Sequence, residues 1–448
     1  MRLVRLLATL TVALLAACND DEIAPLTEGQ LFSEPVAVEA VEGWEGNFRI
    51  FQVADDLIVG QDVGAGVEVL ARDGEDDWRI RRPAALAPRE GRRLNILRTG
   101  GKAFAIASDD DPAGEVEVFA ITSDRPDGTS IATLGRSGRE SNSYTAPKSA
   151  RGALLPFSTW TSLSLYYLDP DAETVRPVVL DLALDHPRVG GLHVAGATAY
   201  FLLAYDTLAA PDTRVERVRL AAFERADPAG TLRLGPPADA QPRTELLDDS
   251  GDYVQANATT YQVTAGFWPR DEDVGGFRRY RYRFDLASFR PLTGAWLEYG
   301  VLTRATSSWQ EGIYDPLSHT PLYSNVGARN YTTFDGDLEP VTGLFADLWI
   351  RDHGRNSYGG AIESLVVFAE TGAHFYGYAD RGGAYVLEVD KVAYRATRAW
   401  QCLLDGEPVS QLKSARYDAE ANELVVVGHH FPGGTGEDKG VIGRIALD

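Results

Sequence analysis

Short runs rich in Val, Ile, Leu, Tyr and Phe recur through most of this 448-residue chain, and they group in fours. The clearest set is Phe48 to Val53, Leu57 to Gln61, Val67 to Arg72 and Trp78 to Arg81. The next is Arg93 to Thr99, Ala103 to Ser108, Glu115 to Thr122 and Ser130 to Leu134. Turn clusters such as Asp73-Gly74, Pro126-Asp127-Gly128, Asp169-Pro170-Asp171 and Asp335-Gly336-Asp337 separate the runs, and such runs between turn residues read as strands. No amphipathic helix of ordinary length stands out. The chain is therefore expected to be all-β.

The second run of each set begins near Leu57, Ala103, Ala153, Thr198, Tyr261, Pro321, His374 and Leu424, at intervals of 45 to 63 residues. That is the spacing of propeller blades. Length alone suggests two or three domains, but one repeat architecture absorbs it, since 44% apolar residues supply a large core. The last set, Leu412 to Tyr417, Glu423 to Gly428 and Val441 to Leu447, has only three runs. An orphan run, Pro35 to Val41, precedes the first complete set and can supply the fourth. The expected fold is a single β-propeller over residues 35–448 with eight four-stranded blades, closed by this N-terminal strand. Seven blades is the alternative. No Gly-His…Trp-Asp pattern, kelch glycine pair or sialidase Asp box marks the repeats.

The N-terminus speaks of location. Arg2 and Arg5 precede an apolar run from Leu6 to Ala17, too short to span a bilayer but suited to a secretory signal. Leu15-Ala16-Ala17-Cys18 follows, and then Asn19-Asp20-Asp21-Glu22. This resembles a bacterial lipoprotein lipobox, in which signal peptidase II cuts before a cysteine that is then acylated. The resemblance implies a signal peptide at 1–17, lipidation of Cys18 with palmitate-type chains, and a tether over 18–34. The acidic cluster is similar to the export signal of Bacteroidota lipoproteins, which implies a cell outer membrane anchor facing the exterior. As an architecture the chain resembles divergent bacterial β-propeller lipoproteins. Some of these bind ferric siderophores for a TonB-dependent transporter, so a transporter partner in the outer membrane is among the expectations.

Charge narrows the partners. The net charge is -22, and without residues 1–17 the chain keeps 41 basic against 65 acidic side chains, a net -24. Such a surface repels nucleic acid. With Cys18 taken by lipid, Cys402 stands alone in Ala-Trp-Gln-Cys-Leu-Leu, where it reads as a small core residue and excludes an intramolecular disulfide.

Function in a propeller gathers on one face, in the turns between second and third strands and the connections between blades. Trp268 and Arg270 lie in one such segment, and His429-His430 in another. Arg351-Asp352-His353-Gly354-Arg355 forms a polar connection before the seventh set. If the grouping holds, Asp352, His353, Arg355, His429 and His430 share a pocket. They would bind an anion through charge-assisted hydrogen bonds, or a divalent metal through His353, His429 and His430. Exposed loop residues without a shared ligand remain the alternative. The run Asp109-Asp110-Asp111 lacks the alternation of a calcium loop and reads as a solvated turn.

Arginines are the second feature. In Phe277 to Phe284 the period of two puts Arg279, Arg281 and Arg283 on one side of a strand, and Arg214, Arg217 and Arg219 sit at the matching position of the set before. They would line an interblade groove for a carboxylate, sulfate or catecholate, or else pair with acids of the chain. No Gly-x-Ser-x-Gly, His-Glu-x-x-His or glycine-rich phosphate loop accompanies any of these residues. The expected function is non-catalytic binding of a small molecule, glycan or protein partner by a monomeric surface lipoprotein, with no resident cofactor. The alternatives are a hydrolase or lyase with a His/Asp/Arg loop site, and a structural or adhesive surface protein.

Overall fold

The computed structural model describes residues 30–447 except 45–48, 55, 63–65, 73–77, 110, 112–113, 137–138, 141–147, 150, 183, 211–212, 240–252, 268–276, 293–296, 303–311, 315–320, 326–329, 335–339, 343–348, 352–357, 362–364, 380–384, 391, 393–394 and 432–437. Almost all of the described chain is strand. The helical exceptions are a turn at Ala84–Leu86 and a four-residue helix at Pro228–Thr231, whose first turn is capped by Asp227 accepting from the Gly230 N–H.

Five antiparallel sheets follow one another along the sequence. The first is Arg49–Ala54, Leu57–Asp62, Gly66–Arg72 and Trp78–Arg81, in that order. The second is Arg92–Thr99, Lys102–Asp109, Val116–Thr122 and Arg125–Leu134. The third is built around Gly152–Ser158 and Leu163–Asp169, the fourth around Asp185–Ala195, Thr198–Ala210 and Thr213–Glu224, and the fifth around Thr260–Phe267 and Phe277–Asp285. These match the sequence-based strands to within a few residues.

The rest departs from the expectation of separate four-stranded units, because the remaining strands join one 15-stranded hydrogen-bonded network. Two links cause this. Ile313–Tyr314 pairs in parallel with Leu365–Val366, and the N-terminal strand Gln30–Ala40 bridges three groups. Its residues 33–37 run parallel to Ala399–Leu403, while Val38–Ala40 run antiparallel to Val441–Gly443. This strand begins at Gln30, inside the stretch read as tether, since Gln30–Phe32 find a partner in Trp349–Arg351.

Period-two alternation explains the packing. Leu57 and Val59 of the first sheet cluster with Ala103, Ala105 and Phe119 of the second. Ile58 and Leu70 point the other way, to Val425 and Val427 near the C-terminus. In the second sheet Phe104 and Ile106 turn away from the first sheet and meet Leu155 and Phe157 of the third. Leu154 meets Phe201 and Leu203 of the fourth, whose Leu202 and Leu220 meet Tyr261 and Phe284 of the fifth. Strands with both faces buried stay together only if sheets cover them on both sides. Cys402 is fully buried in the cluster with Trp400 and Leu424, as expected of a core residue.

Polar ties link neighbouring sheets at the end where the first and third strands turn. Ser123 Oγ donates to Asp56 Oδ1 at 2.6 Å, Lys102 Nζ and an Arg125 amino group reach Glu173 at 2.6 and 2.7 Å, and Arg225 reaches both Asp169 and Asp171 at 2.7 Å. The Glu173 carboxyl is held below its ordinary pKa, chiefly by the Lys102 hydrogen bond.

The N-terminal strand offers a direct test. A Cβ on Gly443 would collide with Val38 Cγ1, so Gly443→Val should lower stability by about 1–3 kcal/mol through overpacking. Adding Val38→Ala should restore part of that loss in chemical denaturation. Equal loss in the single and double variants would show that the two residues do not meet.

Candidate functional site

The turn between Gly152–Ser158 and Leu163–Asp169 carries Trp160, a residue 72% exposed. Thr159 fixes this turn. Its N–H donates to the Ser162 carbonyl at 2.9 Å, and its Oγ1 accepts from the N–H groups of Thr161 and Ser162 at 3.2 and 3.0 Å. The Trp160 carbonyl in turn accepts the His186 N–H from the start of the fourth sheet at 2.6 Å. The indole and imidazole meet edge to face, with centroids 4.1 Å apart and planes at 89°.

His186 sits in an unusual backbone. Its φ is +49°, although it is not glycine and precedes Pro187, a combination that costs energy and marks a position held by its surroundings. A register irregularity between Asp185 and Arg188 accompanies it, where an extra residue re-aims side chains. Nδ1 of His186 lies 2.9 Å from Asp185 Oδ1 and 3.8 Å from Asp206 Oδ2. An Arg188 amino group lies 3.4 Å from Asp206 Oδ1, and the Asp206 side chain is only 7% exposed. One exposed aromatic and four polar side chains thus converge from two sheets.

Nothing in the sequence joins Trp160 to His186. Their meeting follows from the stacking of the third sheet on the fourth, which strand periodicity does not encode. The local signal was a histidine between an aspartate and a proline at a strand start.

The residues singled out from sequence fall elsewhere. His429 and His430 lie in the last two positions of strand Glu423–His430, pairing with Gly440 and Lys439, where a loop was expected. Neighbours on a strand leave on opposite faces, so the two imidazoles diverge. His429 is buried, its ring centroid 4.1 Å from that of Phe431, which is 47% exposed. The Phe431 N–H donates to Ser410 Oγ at 2.7 Å, and the Ser410 N–H to the His429 carbonyl at 3.1 Å. Among the described residues His429 Nε2 and His430 Nδ1 find no hydrogen-bond partner. Burial, aided by the positive charge of Lys413, lowers the His429 pKa to about 4.

Asp352, His353 and Arg355 lie outside the described residues. Their flanking strands, Trp349–Arg351 and Tyr358–Ala361, pair with each other, and the first lies beside Gln30–Phe32. Gly440, the partner of His429, instead accepts the N–H of Val41. Extended chain from Phe32 to Val41 separates these places by about 30 Å. The flanking strands are therefore not beside His429. Among the described residues no group of three His, Cys, Asp or Glu side chains is placed to hold a metal ion.

Trp268 and Arg270 also lie outside the described residues. The backbones of Arg279 and Arg281 pair with Gly266 and Thr264 in an interior strand of the fifth sheet, and their side chains are not described. Arg283 donates to Gln262 Oε1 at 2.8 Å. In the fourth sheet Arg217 Nε donates to Thr207 Oγ1 at 3.3 Å, and Arg219 Nε to the Tyr205 hydroxyl at 2.8 Å. These arginines hold partners within their own sheets. The aspartate run is clamped by Arg136, which donates to the carbonyls of Asp109 and Asp111.

No family model matches the chain, and no curated protein matches it. Solved structures to which it is similar include hydrazine synthase of Kuenenia stuttgartiensis, at 14% identity and TM-score 0.39 over 82% of this chain and 99% of that one. Apo AztD from Citrobacter koseri aligns at 12% identity and TM-score 0.35, over 87% of this chain and 98% of that one. A subtype N11 neuraminidase-like protein of A/flat-faced bat/Peru/033/2010 (H18N11) aligns at 9% identity and TM-score 0.33, over 95% of this chain and 98% of that one. The last two are propeller-like proteins.

The depressed pKa of His429 links stability to pH. From about 6.5 in the unfolded chain down to about 4 in the folded one, the unfolded state binds the extra proton. Stability from this group is complete above pH 6.5 and is lost as pH falls toward 4, by about 3 kcal/mol in total. Denaturation of the full chain at pH 7 and pH 4.5 should therefore show a smaller acid loss in His429→Gln than in the wild type. Equal losses would mean that His429 is solvated.

Proposed function

We propose that the chain is a lipid-anchored surface protein whose β-propeller of eight four-stranded blades binds a ligand, without catalysis, on the face that carries Trp160 and His186. The observation that carries the ligand site is the exposed Trp160 ring, held in place over a polar cluster by backbone and hydroxyl hydrogen bonds. Support for the closed ring comes from the core clusters. They run from sheet to sheet, and the first sheet packs on Val425 and Val427 of the last strands.

The direction of the N-terminal strand supports outward presentation. Its far end, at Ala40, lies beside Val441 and hence beside the turn that follows His430. Gln30 lies at the opposite end of an 11-residue strand, about 35 Å away. In a propeller the turn carrying Trp160, which likewise joins second to third strands, opens on the same face as the turn after His430. A lipid on Cys18 would then tether the protein by one face and leave the Trp160 face toward the medium. Delivery of the bound ligand to an outer-membrane transporter completes this reading.

A second reading, a hydrolase or lyase, draws on the 2.9 Å contact between His186 Nδ1 and Asp185, since a carboxylate so placed orients an imidazole for acid-base work.

Expression of the full chain in a bacterium fed labelled palmitate tests the anchor. The wild type should take up label and stay with the outer membrane, where protease added to intact cells degrades it. Cys18→Ser should lose the label and leave the membrane fraction. A membrane-bound Cys18→Ser chain, or an unlabelled wild type, would overturn the anchor.

A further inference from the structure

We infer that the corner formed by Trp160, Asp185, His186, Arg188 and Asp206 is a binding site for an uncharged glycan. The inference rests on the loop face being a ligand-binding face, and adds the class of ligand.

The first argument is preorganisation. A large aromatic ring that stays in water yet is fixed by its turn loses little freedom when a ligand covers it. Thr159 holds the turn, the His186 N–H holds the Trp160 carbonyl, and the imidazole braces the ring from within the protein. An indole presented this way suits a flat, weakly polar surface such as the C–H face of a pyranose.

The second argument is charge. Two carboxylates face one guanidinium and one imidazole, so the acids of the cluster are already paired, within a chain of net charge -22. The overall charge disfavours sulfated or sialylated ligands. The carboxylates are already engaged by Arg188 and His186, which disfavours a free cation. What remains is a ligand whose groups both donate and accept. Sugar hydroxyls do this, donating to Asp185 and accepting from Arg188, whose guanidinium the buried Asp206 holds in place. Partial exposure leaves these groups within reach, with the Asp185 side chain 36% and the Arg188 side chain 29% exposed.

The third argument is the backbone. The positive φ of His186 and the irregular register at Asp185 carry a cost, and together they aim Asp185 and His186 at the same place as Asp206.

The test is binding of the full chain, purified in detergent, to an array of uncharged hexose and N-acetylhexosamine oligosaccharides printed beside sialylated and sulfated ones. At least one uncharged oligosaccharide should bind, more tightly than its charged derivatives. Trp160→Ala should weaken that binding at least tenfold at an unchanged melting temperature, Trp160→Tyr should retain most of it, and Asp206→Asn should weaken it. Glycan binding that Trp160→Ala leaves intact would overturn the site. Absence of binding to every uncharged oligosaccharide would overturn the glycan class. A thermal-shift panel of metals, ferric siderophores and small anions separates that failure from the broader one. A shift lost in Trp160→Ala would keep the loop face as a binding face for another ligand, and no shift from any compound would overturn both.

Discussion

Burial on both faces is the constraint from which the rest of this protein follows. A strand such as Lys102–Asp109 has almost no solvent-facing side, because its alternate residues serve two different cores. A sheet of this kind cannot be the outer layer of anything. It needs a neighbour on each face, and the core clusters run from each of the five sheets to the next. The contact of Ile58 and Leu70 with Val425 and Val427 is where the two ends of the sequence meet.

Edges pose the complementary problem. Unpaired backbone groups at the outer strands invite association with other chains. The N-terminal strand lies beside three other strands in succession, first Trp349–Arg351, then Ala399–Leu403 and then Val441–Gly443, and so ties together regions far apart in the chain. The same strand sets polarity. It runs lengthwise, with Gln30 at one end and Ala40 beside Val441 at the other. The two ends differ accordingly. One is laced by Asp56, Glu173 and Arg225 pairs that join neighbouring sheets, and the other carries the turn with Trp160.

Much of the fold was legible in the sequence because a strand with a two-residue period writes itself locally. The runs at Leu57, Ala103 and Leu424 start within a residue or two of the observed strands. The site was less legible. His429 and His430 look like loop residues because the glycine-rich segment after them is a turn signal, but backbone pairing carries the strand through His430 and sends the two rings apart. Trp160 and His186 are each ordinary alone. Only the stacking of one sheet on the next makes them a pair, and stacking geometry has no local signature. The arginine strands were placed correctly as third strands, yet hydrogen bonds to Thr207, Tyr205 and Gln262 occupy the described arginines within their own sheets.

The most direct measurement is a disulfide across the closing strand. Glu39 and Ile442 are Cα partners in the antiparallel pairing, and residues so placed are close enough for a cross-link. In the full chain carrying Glu39→Cys and Ile442→Cys, mild oxidation should give a faster-running monomer on a non-reducing gel, with the single variants unchanged. Thiols at both position 39 and position 442 that still react with a thiol reagent after oxidation would contradict the pairing of the N-terminal strand with Val441–Gly443. A cross-linked dimer would mean that the strand closes a neighbouring chain instead of its own.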